Sequence, residues 1–224
     1  MAMLSNVDLI RRVPLFAQLS AQQMDKLAAG VIKKRYRRGE IIVEQGKVSN
    51  SLFIILNGRA RVLMTDRQGR EVILATLREA DYLGEMSLID SQSHSATVAA
   101  EIMTDVLILR RENFMQCLEE STTMAMSVIH GLVQRLRSAD RKIGSLALTG
   151  VYARVANALL ESAKVDANGV RIIKDKVSRQ DIAKMVGASR EMVSRVMKDF
   201  EEQGFIETLE TGSVLVKERR SVER

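Results

Sequence analysis

Three side chains near the C-terminal end of this sequence, Arg190, Glu191 and Arg195, have the types and spacing to read the edges of nucleic-acid bases. A guanidinium donates two hydrogen bonds to guanine O6 and N7, and a carboxylate accepts from cytosine N4. The three share one side of a helix whose other side is built from Val193, Val196, Met197 and Phe200, at spacings i, i+3, i+4 and i+7. Ser194 and Lys198 lie on the same outward face, and Ser189 stands where an N-cap opens the helix. Just upstream, Ser178-Arg179-Gln180-Asp181 reads as a capping box that starts another helix at about Arg179. Its apolar positions Ile182, Ala183 and Val186 turn inward, and Gly187 stops it. Two capped helices joined by a glycine turn, within a compact unit from Val177 to Phe205, make a helix-turn-helix, which lays its second helix in the major groove of DNA. The competing reading is a solvated helix face braced by an i, i+4 ion pair between Glu191 and Arg195.

The remaining elements must carry that unit. At 224 residues the chain has the length for two domains. With 46% hydrophobic and 28% charged residues it supplies ordinary cores and argues against global disorder. The net charge of +6 favours an anionic partner, because clustered Lys and Arg displace counterions from phosphates. The one cysteine, Cys117, excludes an internal disulfide and a cysteine-rich zinc or iron–sulfur centre, and fits a reducing cytoplasm. His94 and His130 are the only imidazoles, a poor basis for haem ligation, and no metal-ligand spacing stands out. Neither a leader pattern at the start nor an apolar run of about 20 residues is seen, so a cytoplasmic protein without membrane insertion is expected.

From about Phe16 to Leu109, short apolar runs alternate with turn signals: Ile41 to Val43, Leu52 to Leu56, Val62 to Met64, Val72 to Leu74, Ala96 to Val98 and Val106 to Leu109. These read as strands of a roll, barrel or sandwich, with Asn57-Gly58 expected to form a tight hairpin turn. Near Ser121 the period changes. Ile129, Leu132, Leu136, Ala139, Ile143 and Leu146 alternate spacings of three and four, which makes an a/d seam on one long helix. The helix can bury that seam against a second copy or against its own domain. A smaller helix from Tyr152 to Lys164, a polar turn at Asp166 to Gly169, and a closing hairpin of Phe205-Ile206 with Val214 to Val216 around Gly212 complete the chain. The domains expected are residues 1–120, 121–148 and 149–224.

With these residues in place, the sequence resembles the cyclic AMP receptor protein/FNR superfamily of bacterial regulators over nearly its whole length. The likeness is carried by LFIILNGRARV (52–62), GEMSLID (84–90) with SATVAA (95–100), the helix ending RKIGSLAL (141–148), and VSRQDIAKMVGASREMVSRVMKDFEEQGFI (177–206). It implies an α+β fold: a cyclic-nucleotide-binding-like β-roll, a long dimerisation helix and a C-terminal winged helix-turn-helix. It also implies a homodimeric, sequence-specific transcription regulator on double-stranded DNA, with a roughly palindromic operator and RNA polymerase as a further partner near the loop from Lys164 to Gly169. Arg190, Glu191 and Arg195 match positions that read a TGTGA-type half-site. Arg179 and Gln180 match positions that meet the DNA backbone, with Ser189 capping between them.

For the effector, the resemblance points to Gly84 and Glu85, whose carboxylate holds a ribose hydroxyl in relatives. The cation expected on a cyclic phosphate is replaced by His94, followed by a matching Ser95. A neutral imidazole has no permanent charge and no fork of donors, so weak cyclic AMP binding is expected. On the long helix, Ala139-Asp140 stands where relatives contact adenine. Asp140 can accept from guanine N1–H and N2–H, which favours a guanine effector such as cyclic di-GMP, or it can pair with Arg137 or Arg141. Alternatives are a regulator that works without an effector and a cyclic-nucleotide-binding subunit of an enzyme. Nothing points to catalysis by the chain itself.

Overall fold

The computed structural model describes residues 5–166, 170–173, 178–209 and 211–217. They form two compact units, Met1–Arg137 and Ser138–Arg224, and the division falls inside one long helix.

The first unit opens on helix α1 (Asn6–Arg11), a 3-10 turn at Pro14–Phe16, and α2 (Ala21–Ala29). Ser5 and Ser20 start the two α-helices by reciprocal bonds with Asp8 and Gln23. Eight strands follow: β1 (Val31–Tyr36), β2 (Ile41–Val43), β3 (Ser51–Asn57), β4 (Ala60–Thr65), β5 (Glu71–Leu77), β6 (Tyr82–Leu83), β7 (Thr97–Ala100) and β8 (Thr104–Arg110). Helix α3 (Glu85–Asp90) lies between β6 and β7, and α4 (Arg111–Glu120) follows β8. The strands build two four-stranded antiparallel sheets, ordered β1-β8-β3-β6 and β2-β7-β4-β5. Alternate residues of β3 serve two cores. Phe53 and Ile55 join Val98, Ala100 and Val106 between the sheets, while Leu52 and Ile54 join Ile10, Phe16, Leu27 and Phe114 under the helices. Burial on both faces explains why this strand reads as an unbroken apolar run.

Two expectations need correction. Pro14–Phe16 and Ala21–Ala29 are helical, so the strands begin at Val31 and not near Phe16. Asn57-Gly58 is not a hairpin turn either, because β3 and β4 belong to different sheets. Gly58 has a φ of +104°, and a Cβ there would lie 2.6 Å from the Met103 carbonyl oxygen and 2.7 Å from Thr104 Cα. The glycine is a corner that hands the chain from one sheet to the other across a neighbouring backbone. The true hairpin joins β4 to β5, where the Asp66 carboxylate accepts from the amides of Gln68 and Arg70 at 2.9 Å each.

Helix α5 (Thr122–Leu148) runs for 27 residues from Ser121, whose hydroxyl accepts from the Met124 amide at 3.2 Å. Met124 and Val128 are buried in the first unit and Leu132 is packed against it, whereas Ile129, Leu136, Ile143 and Leu146 are exposed. Of the seam read from the sequence, Leu132 packs on the helix's own unit, while Ile129, Leu136, Ile143 and Leu146 face outward.

The second unit contains α6 (Val151–Ser162), β9 (Lys164–Val165), β10 (Arg171–Ile173), α7 (Arg179–Val186), α8 (Arg190–Glu202), β11 (Ile206–Thr208) and β12 (Val214–Val216). The strands form one sheet, ordered β11-β12-β10-β9, and β11 with β12 makes the expected closing hairpin. Val155, Leu159, Ile182, Val193, Val196 and Met197 fill the core. Of the predicted polar turn, residues 167–169 lie outside the described residues, as does Val177. The architecture is α+β: a β-roll, a long helix and a winged helix-turn-helix. No helix among the described residues is long and apolar enough to cross a membrane.

Replacing Gly58 by Ala should lower the unfolding free energy by about 2 kcal/mol or more, from the left-handed backbone and the overlap with residues 103 and 104 together. Urea denaturation followed by circular dichroism measures it, and an unchanged midpoint would contradict the corner geometry.

Candidate functional site

In the second unit, local chemistry builds an outward-facing helix. The Ser178 hydroxyl accepts from the Asp181 amide at 3.0 Å to start α7, and Gly187 ends it in the left-handed conformation, φ 62°. Ser189 then accepts from the Met192 amide at 3.2 Å and starts α8. Val193, Val196 and Met197 are buried behind α8. Phe200 is half-buried in edge-on contact with Tyr152 and Phe205, both at 6.0 Å between centroids. Arg190, Glu191 and Arg195 are all exposed. The i, i+4 ion pair between Glu191 and Arg195 does not form, and among the described residues neither Arg carries another ion pair. Glu191 is held below the ordinary carboxylate range by its own backbone N–H and then by the Ser189 hydroxyl, so it is an ionised acceptor. At the opening of α7, the Arg179 guanidinium stands 3.9 Å from Glu201, which also accepts from the Thr208 hydroxyl, and Gln180 is exposed. The arrangement offers two cationic donor forks and one acceptor in the first two turns of a helix whose N-terminal dipole also favours anions.

In the first unit, β6 delivers the chain to a tight corner. Gly84 has a φ of +91°, and a Cβ there would lie 2.8 Å from the Ser51 carbonyl oxygen. Glu85, first residue of α3, is 1% exposed. Its Oε1 accepts from Arg135 Nη1 of α5 at 2.5 Å, and the same guanidinium donates to the Tyr82 backbone carbonyl and lies 5.0 Å from the centre of the Tyr82 ring. Burial pushes the Glu85 carboxyl above its ordinary range, and Arg135 opposes that shift. Glu85 Oε2 and the Tyr82 hydroxyl are buried without a hydrogen-bond partner among the described residues. Gly131 lets the helix come this near, because a Cβ at that position would overlap the Tyr82 hydroxyl.

His94 is also buried, with Nε2 at 2.8 Å from the Ser49 hydroxyl and Nδ1 at 3.1 Å from the Ser87 hydroxyl. Its backbone is pinned as well, donating to the Lys47 carbonyl and accepting from the Gly46 amide at 2.8 Å each. Burial lowers the imidazole pKa and favours the neutral ring, which satisfies both serines with one donor and one acceptor. To meet a phosphate, His94 would have to release one of them. Ser95 is exposed. Gly84, Glu85 and His94 share one corner, since a Cβ on Gly84 would come within 3.8 Å of the imidazole. Asp140 lies on α5 in the second unit, exposed, with no ion pair to Arg137 or Arg141.

Arg135, Tyr82, Ser49 and Ser87 belong to this corner and were not singled out in the sequence. Arg135 follows Leu132 by three residues, which sets it on the flank of the helix that faces its own core. Its partner lies 50 residues away, and no local pattern connects the two. Among the described residues, no group of three or more His, Cys, Asp or Glu could hold a metal. Cys117 is buried, which raises its thiol pKa and leaves it a weak nucleophile.

Residues 33–121 match the sequence profile of the cyclic nucleotide-binding domain, and residues 153–224 that of the Crp-like helix-turn-helix domain. The cAMP-activated global transcriptional regulator Vfr of Pseudomonas aeruginosa is 34% identical over 194 residues, 83% of this chain and 89% of Vfr. The cyclic AMP receptor protein of Thermus thermophilus is 31% identical over 210 residues, 94% of this chain and 95% of that protein. Among solved structures, the c-di-GMP responsive global regulator CLP of Xanthomonas campestris superposes with a TM-score of 0.74 at 22% identity. That superposition covers 89% of this chain and 100% of CLP, and shows the fold.

The neutral, buried His94 has a consequence for stability. The unfolded chain takes up this proton at the ordinary imidazole value of about 6.5, and the folded chain only below it. The contribution is therefore complete above that value and is lost as pH falls toward the depressed folded value. In urea titrations between about pH 5 and 7.5, the fall in stability on the acid side should be shallower in His94→Gln than in the parent. Identical slopes would mean that the ring titrates as if exposed.

Proposed function

Because the chain belongs to the Crp/Fnr superfamily of DNA-binding transcription regulators, we propose that it acts as a homodimer reading an inverted repeat of TGTGA-type half-sites, under control of a cyclic nucleotide or cyclic dinucleotide. It is a regulator and not an enzyme. The observation that carries the reading is the outward face of α8, where Arg190, Glu191 and Arg195 stand exposed and, among the described residues, free of ion pairs opposite a buried apolar stripe. Arg179 and Gln180 serve the DNA backbone, and Ser189 fixes the start of the reading helix.

The exposed stripe on α5 supports the dimer. Leu136 and Ile143 are 62% and 64% exposed, and with Ile129, Ala139 and Leu146 they leave an apolar face that a second α5 would cover. Two-fold symmetry then presents two reading helices to two inverted half-sites. The cytoplasm, where DNA is met, is the setting proposed, with RNA polymerase as partner near the loop 164–169, of which residues 167–169 lie outside the described residues.

For the effector, the orphaned Oε2 of Glu85 supports a ligand that brings a hydroxyl donor to the Gly84–Glu85 corner. His94 gives a cyclic phosphate no permanent cation, and Ser95 beside it adds only a hydroxyl. The unpaired Asp140 favours guanine, and CLP is described as responsive to c-di-GMP. A second reading, regulation without any effector, draws on Arg135: this internal cation already meets the Glu85 charge.

Arg190→Ala and Arg195→Ala should each cost about 1–3 kcal/mol per guanine contact on a palindromic TGTGA-type duplex and far less on random DNA, whereas Arg179→Ala should weaken both alike. Gel shifts read this, and equal losses on both duplexes would make the α8 arginines backbone contacts. In light scattering, Leu136→Asp should halve the mass of the parent dimer. Calorimetry with cyclic AMP, cyclic GMP and cyclic di-GMP decides the effector: guanine-nucleotide binding abolished by Asp140→Ala is expected. Tight cyclic AMP binding alone would overturn the guanine assignment, and no binding of any of the three would favour the effector-free reading.

A further inference from the structure

The exposed face of α8 includes one side chain that cannot form a strong hydrogen bond. Met192 lies in the first turn, 36% exposed, and its amide is the group that Ser189 caps, so the side chain leaves the helix at a fixed point. At 100° per residue, the buried stripe of Val193, Val196 and Met197 is centred opposite Glu191 and Arg195. Met192 then falls on one flank of the reading face, about 60° from Arg195, and the half-buried Ser194 falls on the other flank beside Arg190.

A single exposed apolar residue on a protein surface is ordinary. Here the surface is the N-terminal turn of a reading helix, the part that meets base edges in the major groove, and the neighbours of Met192 on it are charged. A thioether pressed on N7, O6 or an exocyclic amine would strip water from a polar edge and replace none of its hydrogen bonds. Thymine alone presents an apolar group in that groove, its C5 methyl. The unbranched, polarisable methionine side chain adapts well to such a contact.

We propose that Met192 contacts the C5 methyl of one thymine in each half-site and so adds a thymine preference at a base pair the two arginines and Glu191 do not read. The inference rests on the assignment of α8 as the reading helix. To test both, full-length protein is used to select its sites from a randomised duplex pool, and each thymine of the selected site is then replaced singly by deoxyuridine, which removes only the methyl. For the parent protein, one replacement per half-site should weaken binding about fourfold, the worth of one buried carbon. Met192→Leu should keep that discrimination, whereas Met192→Ala and Met192→Gln should bind the thymine and uracil duplexes equally. If no replacement is felt, or if Met192→Ala feels the same one to the same degree, the methyl contact is overturned while α8 remains the reading helix. Failure to enrich any sequence, either without effector or with cyclic AMP, cyclic GMP or cyclic di-GMP added, would overturn the α8 assignment and this inference with it.

Discussion

A carboxyl buried as deeply as Glu85 must either hold a proton or meet a counter-charge, and the chain supplies the counter-charge from a helix rather than from the roll itself. Arg135 reaches from α5 to Glu85, to the Tyr82 carbonyl and to the face of the Tyr82 ring, while Met124, Val128 and Leu132 pack the preceding turns of the same helix against the core. The first half of α5 is thereby fixed to the Gly84–Glu85 corner. Arg135 and Glu85 form an ion pair there. Such a pair adds little net stability, since desolvation offsets most of its attraction, but it is costly to break from one side.

The corner is unevenly satisfied. His94 has both ring nitrogens engaged, whereas Glu85 Oε2 and the Tyr82 hydroxyl have no partner among the described residues. The imidazole is thus part of the wall of the corner, and the unmet hydrogen-bonding capacity lies on the carboxylate side.

The DNA-reading unit was legible because its signals are local. Ser178, Gly187 and Ser189 act within a few residues of themselves, and the stripe of α8 repeats at the helical period. The roll was legible as a set of strands but not as a pairing. Asn57-Gly58 has hairpin chemistry, yet the residues that decide its conformation are Met103 and Thr104, 45 or so positions away in the chain. Strand β1 went unnoticed since its middle, Lys33 to Arg35, is cationic; Asp105 on β8 pairs with Lys33 and Arg35 at 3.5 and 2.7 Å and makes that sequence tolerable in a sheet. Arg135 and Glu85 belong to the same class of long-range pair. Leu132 and Leu136 read as equivalent seam positions, and only packing against the core of the first unit separates them.

Cys117 sits in the core of the first unit beside Phe114 and Met124, with its thiol made less acidic by burial. As the chain holds no other thiol, every reaction of the unmodified protein with a thiol reagent reports an opening of that core. The sulfur is in effect a clock built into the β-roll. Its rate measures how firmly the strands and helices of that unit are shut. It also leaves the surface chemically silent, so that a cysteine introduced elsewhere can be labelled alone while the fold stays closed.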